Sequence, residues 1–228
     1  MSDASWVLLP GLDGSGCLFQ WFLPYLSSQA SIVRYPAEPG WQIEDYAQYA
    51  LAAIPPSQRC IVIAESFSSP IALRLLRQRP DIAGLVLVAS FIRCPHPLLK
   101  YAPTRALGYL RRLLRSRALL RALCLGWSAS GEKIDALQTV IDAISTPVLE
   151  ARLTLLRELD AADDLHAAAV PVLFLNAARD RLVMARIEPP DRGECMRAVS
   201  IDAPHFLLQA CPAAAWQAIE SWQRGLNA

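Results

Sequence analysis

The sequence predicts an α/β domain built on a mostly parallel sheet of about six strands with helices flanking it. Three observations predict it. Short apolar runs rich in Val, Ile and Leu recur along the chain, stretches with helical spacing separate them, and Ala83-Gly84-Leu85-Val86-Leu87-Val88-Ala89 is apolar throughout, as in a strand buried on both faces. Strands alternating with helices in this way imply parallel pairing through right-handed crossovers.

Trp6-Val7-Leu8-Leu9 opens the sheet and runs into the glycine-rich loop Pro10-Gly11-Leu12-Asp13-Gly14-Ser15-Gly16, which precedes an apolar helical stretch. Ser31-Ile32-Val33-Arg34-Tyr35 is the next strand, followed by a turn. Ile43, Tyr46, Ala47, Ala50 and Ile54 then form the apolar face of a helix that Pro55-Pro56 stops. Cys60-Ile61-Val62-Ile63-Ala64 is a strand. In the helix after it, Ile71, Ala72, Leu75 and Leu76 make one apolar stripe with Arg74, Arg77 and Arg79 largely off it. Pro70 is tolerated in the first turn, where its missing N–H has no intrahelical partner, and Pro80 ends the element. From about Phe91 to Leu165 the pattern is mainly helical. Val170 to Asn176 resumes the sheet, Met196 to Ile201 alternates as a weaker edge strand, and Ala215, Trp216, Ile219 and Trp222 share one face of a C-terminal helix.

A chain of 228 residues, 54% of them hydrophobic, suffices for one substantial domain with an inserted lid and a large core. The formal net charge of +1 gives no global reason to expect nucleic acid. Cys17, Cys60, Cys94, Cys124, Cys195 and Cys211 have no paired C-x-x-C spacing and no histidines arranged as metal ligands. They read as reduced, mostly buried packing residues, and no metal or organic cofactor is expected. No apolar run is long enough to span a bilayer, so stable membrane insertion is not expected. The polar Met1-Ser2-Asp3-Ala4-Ser5 resembles neither a secretory signal nor a transit peptide, which leaves the cytoplasm as the default location.

The stretch from Cys60 to Pro70 carries the chemistry. A β-branched run breaks into small residues around Ser66 and then becomes a helix. A serine at such a turn has its hydroxyl above the C-terminal edge of the sheet, with the N–H of Phe67 free to stabilise an oxyanion. The alternative is a serine that only caps a buried helix. Here the sequence resembles the α/β-hydrolase superfamily, whose serine motif is G-x-S-x-G. This chain reads Ala64-Glu65-Ser66-Phe67-Ser68, with alanine and serine in place of both glycines. Only small side chains fit where the tight turn brings the flanking backbones together, and these are the mildest replacements.

The glycine-rich loop lacks both the G-x-G-x-x-G of a dinucleotide fingerprint and the Gly-Lys-Ser/Thr ending of a phosphate loop. As L-P-G-x-D-G-x-G it is similar to the loop of a hydrolase subgroup of esterases, thioesterases and acyltransferase-like relatives. That resemblance implies the second oxyanion N–H at Leu12, the alternative being an ordinary strand-to-helix turn. Asp13 is expected to bond the loop's own N–H groups, as aspartates in tight turns do. The usual fold opens with two further strands, which this chain is expected to lack, because its first strand already leads into this loop.

A serine needs a base in reach and the base needs an orienting acid. His205 follows the last predicted strand, where the family places its base, and Asp180 follows the next-to-last in Asn176-Ala177-Ala178-Arg179-Asp180-Arg181. Some relatives carry the acid one strand earlier, but Ala83 through Lys100 contains no Asp or Glu. Asp180 otherwise pairs with Arg179 or Arg181 at a loop surface. His96, between two prolines, is placed to line the pocket, and His166 reads as a surface residue. The order Ser66, Asp180, His205 is that of the family.

The resemblance makes residues 1–90 and 166–228 a hydrolase core and 91–165 a helical cap. Basic residues including Arg111, Arg112 and Arg115 are interleaved with leucines in that cap. Their bland reading is a solvated amphipathic face. The sharper one is a dock for an anionic acyl carrier. The expected activity is that of a serine hydrolase on carboxylic esters, with thioesters next. Acyl transfer to an alcohol is one alternative, and a non-catalytic binding protein on the same fold is another.

Overall fold

A computed structural model describes residues 5–26, 30–54, 59–101, 115–185, 187 and 195–226. Strands β1 (Ser5–Leu9), β2 (Ala30–Ile32), β3 (Cys60–Glu65), β4 (Gly84–Val88), β5 (Val172–Ala177) and β6 (Met196–Ile201) form one sheet. Its order is β2-β1-β3-β4-β5-β6, and every pairing is parallel. Helices among the described residues are α1 (Ile43–Ala53), α2 (Ser68–Leu76), α3 (Pro97–Tyr101), α4 (Arg117–Leu120), α5 (Gly131–Ala143), α6 (Thr146–Arg157), α7 (Ala162–Ala167), α8 (Leu207–Ala210) and α9 (Pro212–Leu226).

Residue alternation sets the two faces of the sheet. Val7, Leu9, Val62, Ala64, Leu85 and Leu87 enter one core with residues of α1 and α2, while Trp6, Leu8, Ile61, Ile63, Val86 and Val88 enter the other beneath α9. Both faces are covered, which is why the central strands are apolar without interruption. Ala215, Ile219 and Trp222 are buried on the predicted stripe of α9, and Trp216 packs edge-on against Trp6.

Three local features differ from the sequence reading. The second strand is shorter than Ser31–Tyr35, because Tyr35 turns its N–H to the Gly14 carbonyl, away from β1. The apolar stretch after the glycine-rich loop forms two 3₁₀ turns, Cys17–Trp21 and Leu23–Tyr25, the second containing Pro24. The cysteines are free as expected, but only Cys60 and Cys124 are buried; Cys17 and Cys195 are exposed and Cys94 and Cys211 half-buried. Cys17 opens a short surface 3₁₀ turn whose buried contacts come from Leu18 and Phe19.

Of the helices between β4 and β5, α7 packs against α2. Asp164 of α7 is buried and takes Arg74 at 2.9 Å and Arg77 at 2.8 Å, two of the cations that lie off the apolar stripe of α2. Arg111 and Arg112 lie outside the described residues. Arg115 is exposed and paired with Asp142 at 3.0 Å. Among the described residues no helix is long and apolar enough to cross a membrane.

Candidate active site

Ser66 stands between β3 and α2 with φ of 50°, one of two non-glycine residues in the left-handed region among those described. The turn is held from both sides, since the Ser66 N–H donates to Val88 O at 2.9 Å and the Ser69 N–H to Ser66 O at 2.9 Å. A side chain kept in this sparsely populated region marks a position whose geometry the surroundings impose.

The motif's second replaced glycine has a use. Ser68 is fully buried, its hydroxyl bonds the Pro10 carbonyl, and the Tyr35 hydroxyl lies 2.7 Å from the Ser68 Oγ. A glycine there would leave the Pro10 carbonyl without this donor. Ala64 is buried between Leu9 and Leu87, where a small residue fits.

Asp180 and His205 are brought together because the β5–β6 ladder continues past both strands: Ala178 N–H donates to Ile201 O at 2.8 Å and Arg179 N–H to Ala203 O at 3.0 Å. His205 Nδ1 then lies 2.7 Å from Asp180 Oδ2, and its Nε2 lies 3.0 Å from Ser66 Oγ. The second carboxylate oxygen of Asp180 accepts the N–H groups of Leu182 and Val183 at 2.8 and 2.9 Å. Burial pushes this carboxyl up, but the hydrogen bond and charge of His205 and the two N–H groups outweigh it and hold it below the ordinary range. The flanking arginines are engaged elsewhere, Arg179 with Asp202 and Arg181 with the Ala122 carbonyl.

Leu12 and Phe67 line the same cavity as Ser66 and His205, and their backbone N–H groups join none of the loop or cap hydrogen bonds among the described residues. Asp13 turns back on its own loop, accepting the N–H of Ser15 at 2.9 Å and the Ser15 hydroxyl. The cavity has a volume of about 490 Å³, and its wall is almost wholly hydrocarbon, with Leu137 and Val140 from α5 and Leu149 and Leu153 from α6. His96 lines it, whereas His166 is exposed on α7. Among the described residues no group of three or more His, Cys, Asp and Glu side chains is placed to hold a metal ion.

Two residues escaped the sequence reading. Glu65, beside Ser66, is buried, and its Oε2 accepts Gln209 Nε2 at 3.4 Å while Oε1 has no hydrogen-bond partner among the described residues. Burial pushes its carboxyl up to about 7, with the charge of His205 and the Gln209 bond only partly opposing. A charged residue inside an apolar strand was the available signal. Arg152 of α6 is the largest fully buried side chain among the described residues, and its spacing from Val148, Leu149 and Leu156, which puts it on the apolar face of the helix, was the available signal.

No family model matches the chain, and no curated protein matches it in sequence. Solved structures do match. A carboxylesterase of Nitrososphaera gargenis superposes with a TM-score of 0.78 at 13% identity, covering 99% of this chain and 92% of the other. The chain has the α/β-hydrolase fold. A thermophilic esterase of Thermogutta terrifontis matches with a TM-score of 0.75 at 19% identity over 99% of this chain and 91% of its own. The enol-lactonase of Burkholderia xenovorans matches with 0.73 at 16% over 98% and 92%. In this hydrolase fold the described sheet has six strands, and the first of them leads into the Pro10–Gly16 loop.

Proposed function

We propose that the protein is a serine hydrolase that cleaves carboxylic esters with apolar acyl groups through an acyl-enzyme. The observation that carries this reading is the unbroken contact from Asp180 through His205 to Ser66, opening on a hydrocarbon-lined cavity. Ser66 Oγ attacks the acyl carbon while its proton passes to His205 Nε2. Asp180 fixes the tautomer that leaves Nε2 free and stabilises the imidazolium. The carbonyl oxygen takes up the negative charge and accepts the Leu12 and Phe67 N–H groups. On collapse, the C–O bond to the alcohol breaks and His205 returns the proton to the leaving oxygen. Water, deprotonated by His205, then attacks the acyl carbon; the C–O bond to Ser66 breaks, His205 returns the proton to Ser66 Oγ, and the carboxylic acid leaves. Thioesters follow by the same steps with sulfur leaving.

Esterase and lactonase activities named for structurally similar proteins agree with this chemistry. A p-nitrophenyl ester series tests it. With acyl groups lengthened from acetyl, kcat/KM should rise up to about fourfold per methylene, the value of burying one CH₂, until the cavity is filled. Turnover should vanish in Ser66→Ala. Turnover that survives in Ser66→Ala, or none in the wild type, contradicts the reading.

A further inference from the structure

We infer that Arg152 is a positioning residue for the oxyanion side of the site, a cationic clamp that the cap helix α6 inserts behind the Leu12 peptide. The inference rests on the reading that the Leu12 and Phe67 N–H groups receive the oxyanion.

Arg152 is 1% exposed. A buried charge is tolerated only where its hydrogen-bonding capacity is met. Among the described residues the guanidinium forms no ion pair and is held by neutral acceptors. Nη1 donates to the Leu12 carbonyl at 2.8 Å, Nη2 to the Pro36 carbonyl at 3.1 Å, and Nε to the Tyr46 hydroxyl at 3.1 Å. Its central carbon lies 5.4 Å from the Tyr46 ring and 5.8 Å from the Phe67 ring. The same side chain therefore bonds the backbone of one proposed oxyanion residue and sits over the ring of the other.

The loop is tied at alternate carbonyls. Pro10 O takes the Ser68 hydroxyl, Leu12 O takes Arg152, and Gly14 O takes the Tyr35 N–H. The first and third ties come from the sheet core, and the middle one comes from the cap. Gly14 makes room for it, because a Cβ there would lie 2.6 Å from Arg152 Nη1. Three directed donors on a planar fork meet three separate acceptors, a task that a lysine ammonium on a flexible stem does not reproduce. Leu149, Leu153 and Leu156 on the same helix line the cavity, but Arg152 does not. It acts through the loop and leaves substrate contact to its neighbours.

The consequence is a split between kinetic parameters. Losing one oxyanion donor costs about 10²–10³ in kcat, and a misplaced one costs somewhat less. Arg152→Lys should lower kcat for a p-nitrophenyl ester by about 30-fold with KM within about threefold, because the acyl wall is unchanged. Arg152→Met should lower it further. Tyr46→Phe, which removes only the Nε partner, should show the same split at about threefold. The rate of fluorophosphonate labelling of Ser66 should fall in parallel, because the phosphoryl oxygen uses the same N–H groups, while the inhibition constant of a long-chain alcohol should stay as in the wild type. Labelling of the wild type tests the hydrolase reading, and the ratio of variant to wild-type rates tests the clamp. Wild-type kcat and labelling rate in folded Arg152→Lys, or in folded Tyr46→Phe if neither arginine variant folds, would overturn it. So would a loss confined to KM.

Discussion

The two sides of the site are held by different means. On the acid–base side, Asp180 and His205 sit on adjacent loops that the β5–β6 ladder itself brings together, and the ties that orient them are local. On the proposed oxyanion side, the glycine-rich loop is tied by residues of other elements: Ser68, Tyr35 and, from α6, Arg152. Sheet topology places the first side, and the segment between β4 and β5 touches it at its flanks, where the Phe206 N–H donates to Cys124 O and Arg181 to Ala122 O. On the second side a residue of that segment, Arg152, bonds the loop itself, so the loop's geometry is coupled to where α6 sits.

The largest expected effect lies on the acid–base side. Asp180→Asn keeps an oxygen for the Leu182 and Val183 N–H groups but favours the wrong imidazole tautomer, and kcat should fall roughly a thousandfold or more, far beyond the effect of the stability lost with the ionised carboxyl. A steady-state assay beside thermal unfolding checks both. The proposed oxyanion side should show a smaller loss of rate, together with a loss of stability. Gly14 has φ of 73° and the Arg152 guanidinium against it, so Gly14→Ala should cost on the order of 2 kcal/mol and lower kcat about tenfold. If Gly14→Ala lowers stability but leaves kcat intact, the coupling between loop geometry and rate is broken.

The last effect is on stability alone and concerns Glu65, which lies between the two sides and reads as a pH dependence. Its carboxyl is raised by burial from 4.5 to about 7, so between those values the folded protein holds more protons than the unfolded chain. Stability should therefore fall as pH rises through that window, by on the order of 3 kcal/mol, and level off above it. Asp180 has the opposite sign. Its carboxyl is lowered below 3.8, so its stabilisation is present above that value and is lost only as pH falls through its folded-state pKa, outside the Glu65 window. Urea unfolding at pH 5 and pH 8 should show a larger difference in the wild type than in Glu65→Gln. Equal differences would contradict the placement of a neutral-range carboxyl there.

How much was legible follows the same division. The central strands could be read because apolar runs buried on both faces leave no polar alternation to confuse; Ser66 and Asp180 each follow such a run, and His205 follows the alternating edge strand β6. The replacement of a motif glycine by Ser68 looked like a mild loss and turned out to be a tie to the loop, because its acceptor, Pro10 O, lies 58 positions away. Arg152 was legible only in part. Its spacing of four from Val148 and Leu156 and three from Leu149 puts it on the apolar stripe of α6, unlike the exposed Arg115, but the distant carbonyls it meets are set by tertiary packing. Strand Ser31–Tyr35 was read too long for a related reason, since the glycine-rich loop captures the Tyr35 N–H.

The most direct test is covalent labelling of the purified protein with a fluorophosphonate, followed by peptide mass spectrometry to locate the adduct. The expected result is a single adduct on Ser66, formed rapidly in the wild type and lost in His205→Ala, as an activated serine requires. An adduct elsewhere, or none on a folded protein with an active probe, would contradict the proposal that Ser66 is a nucleophile.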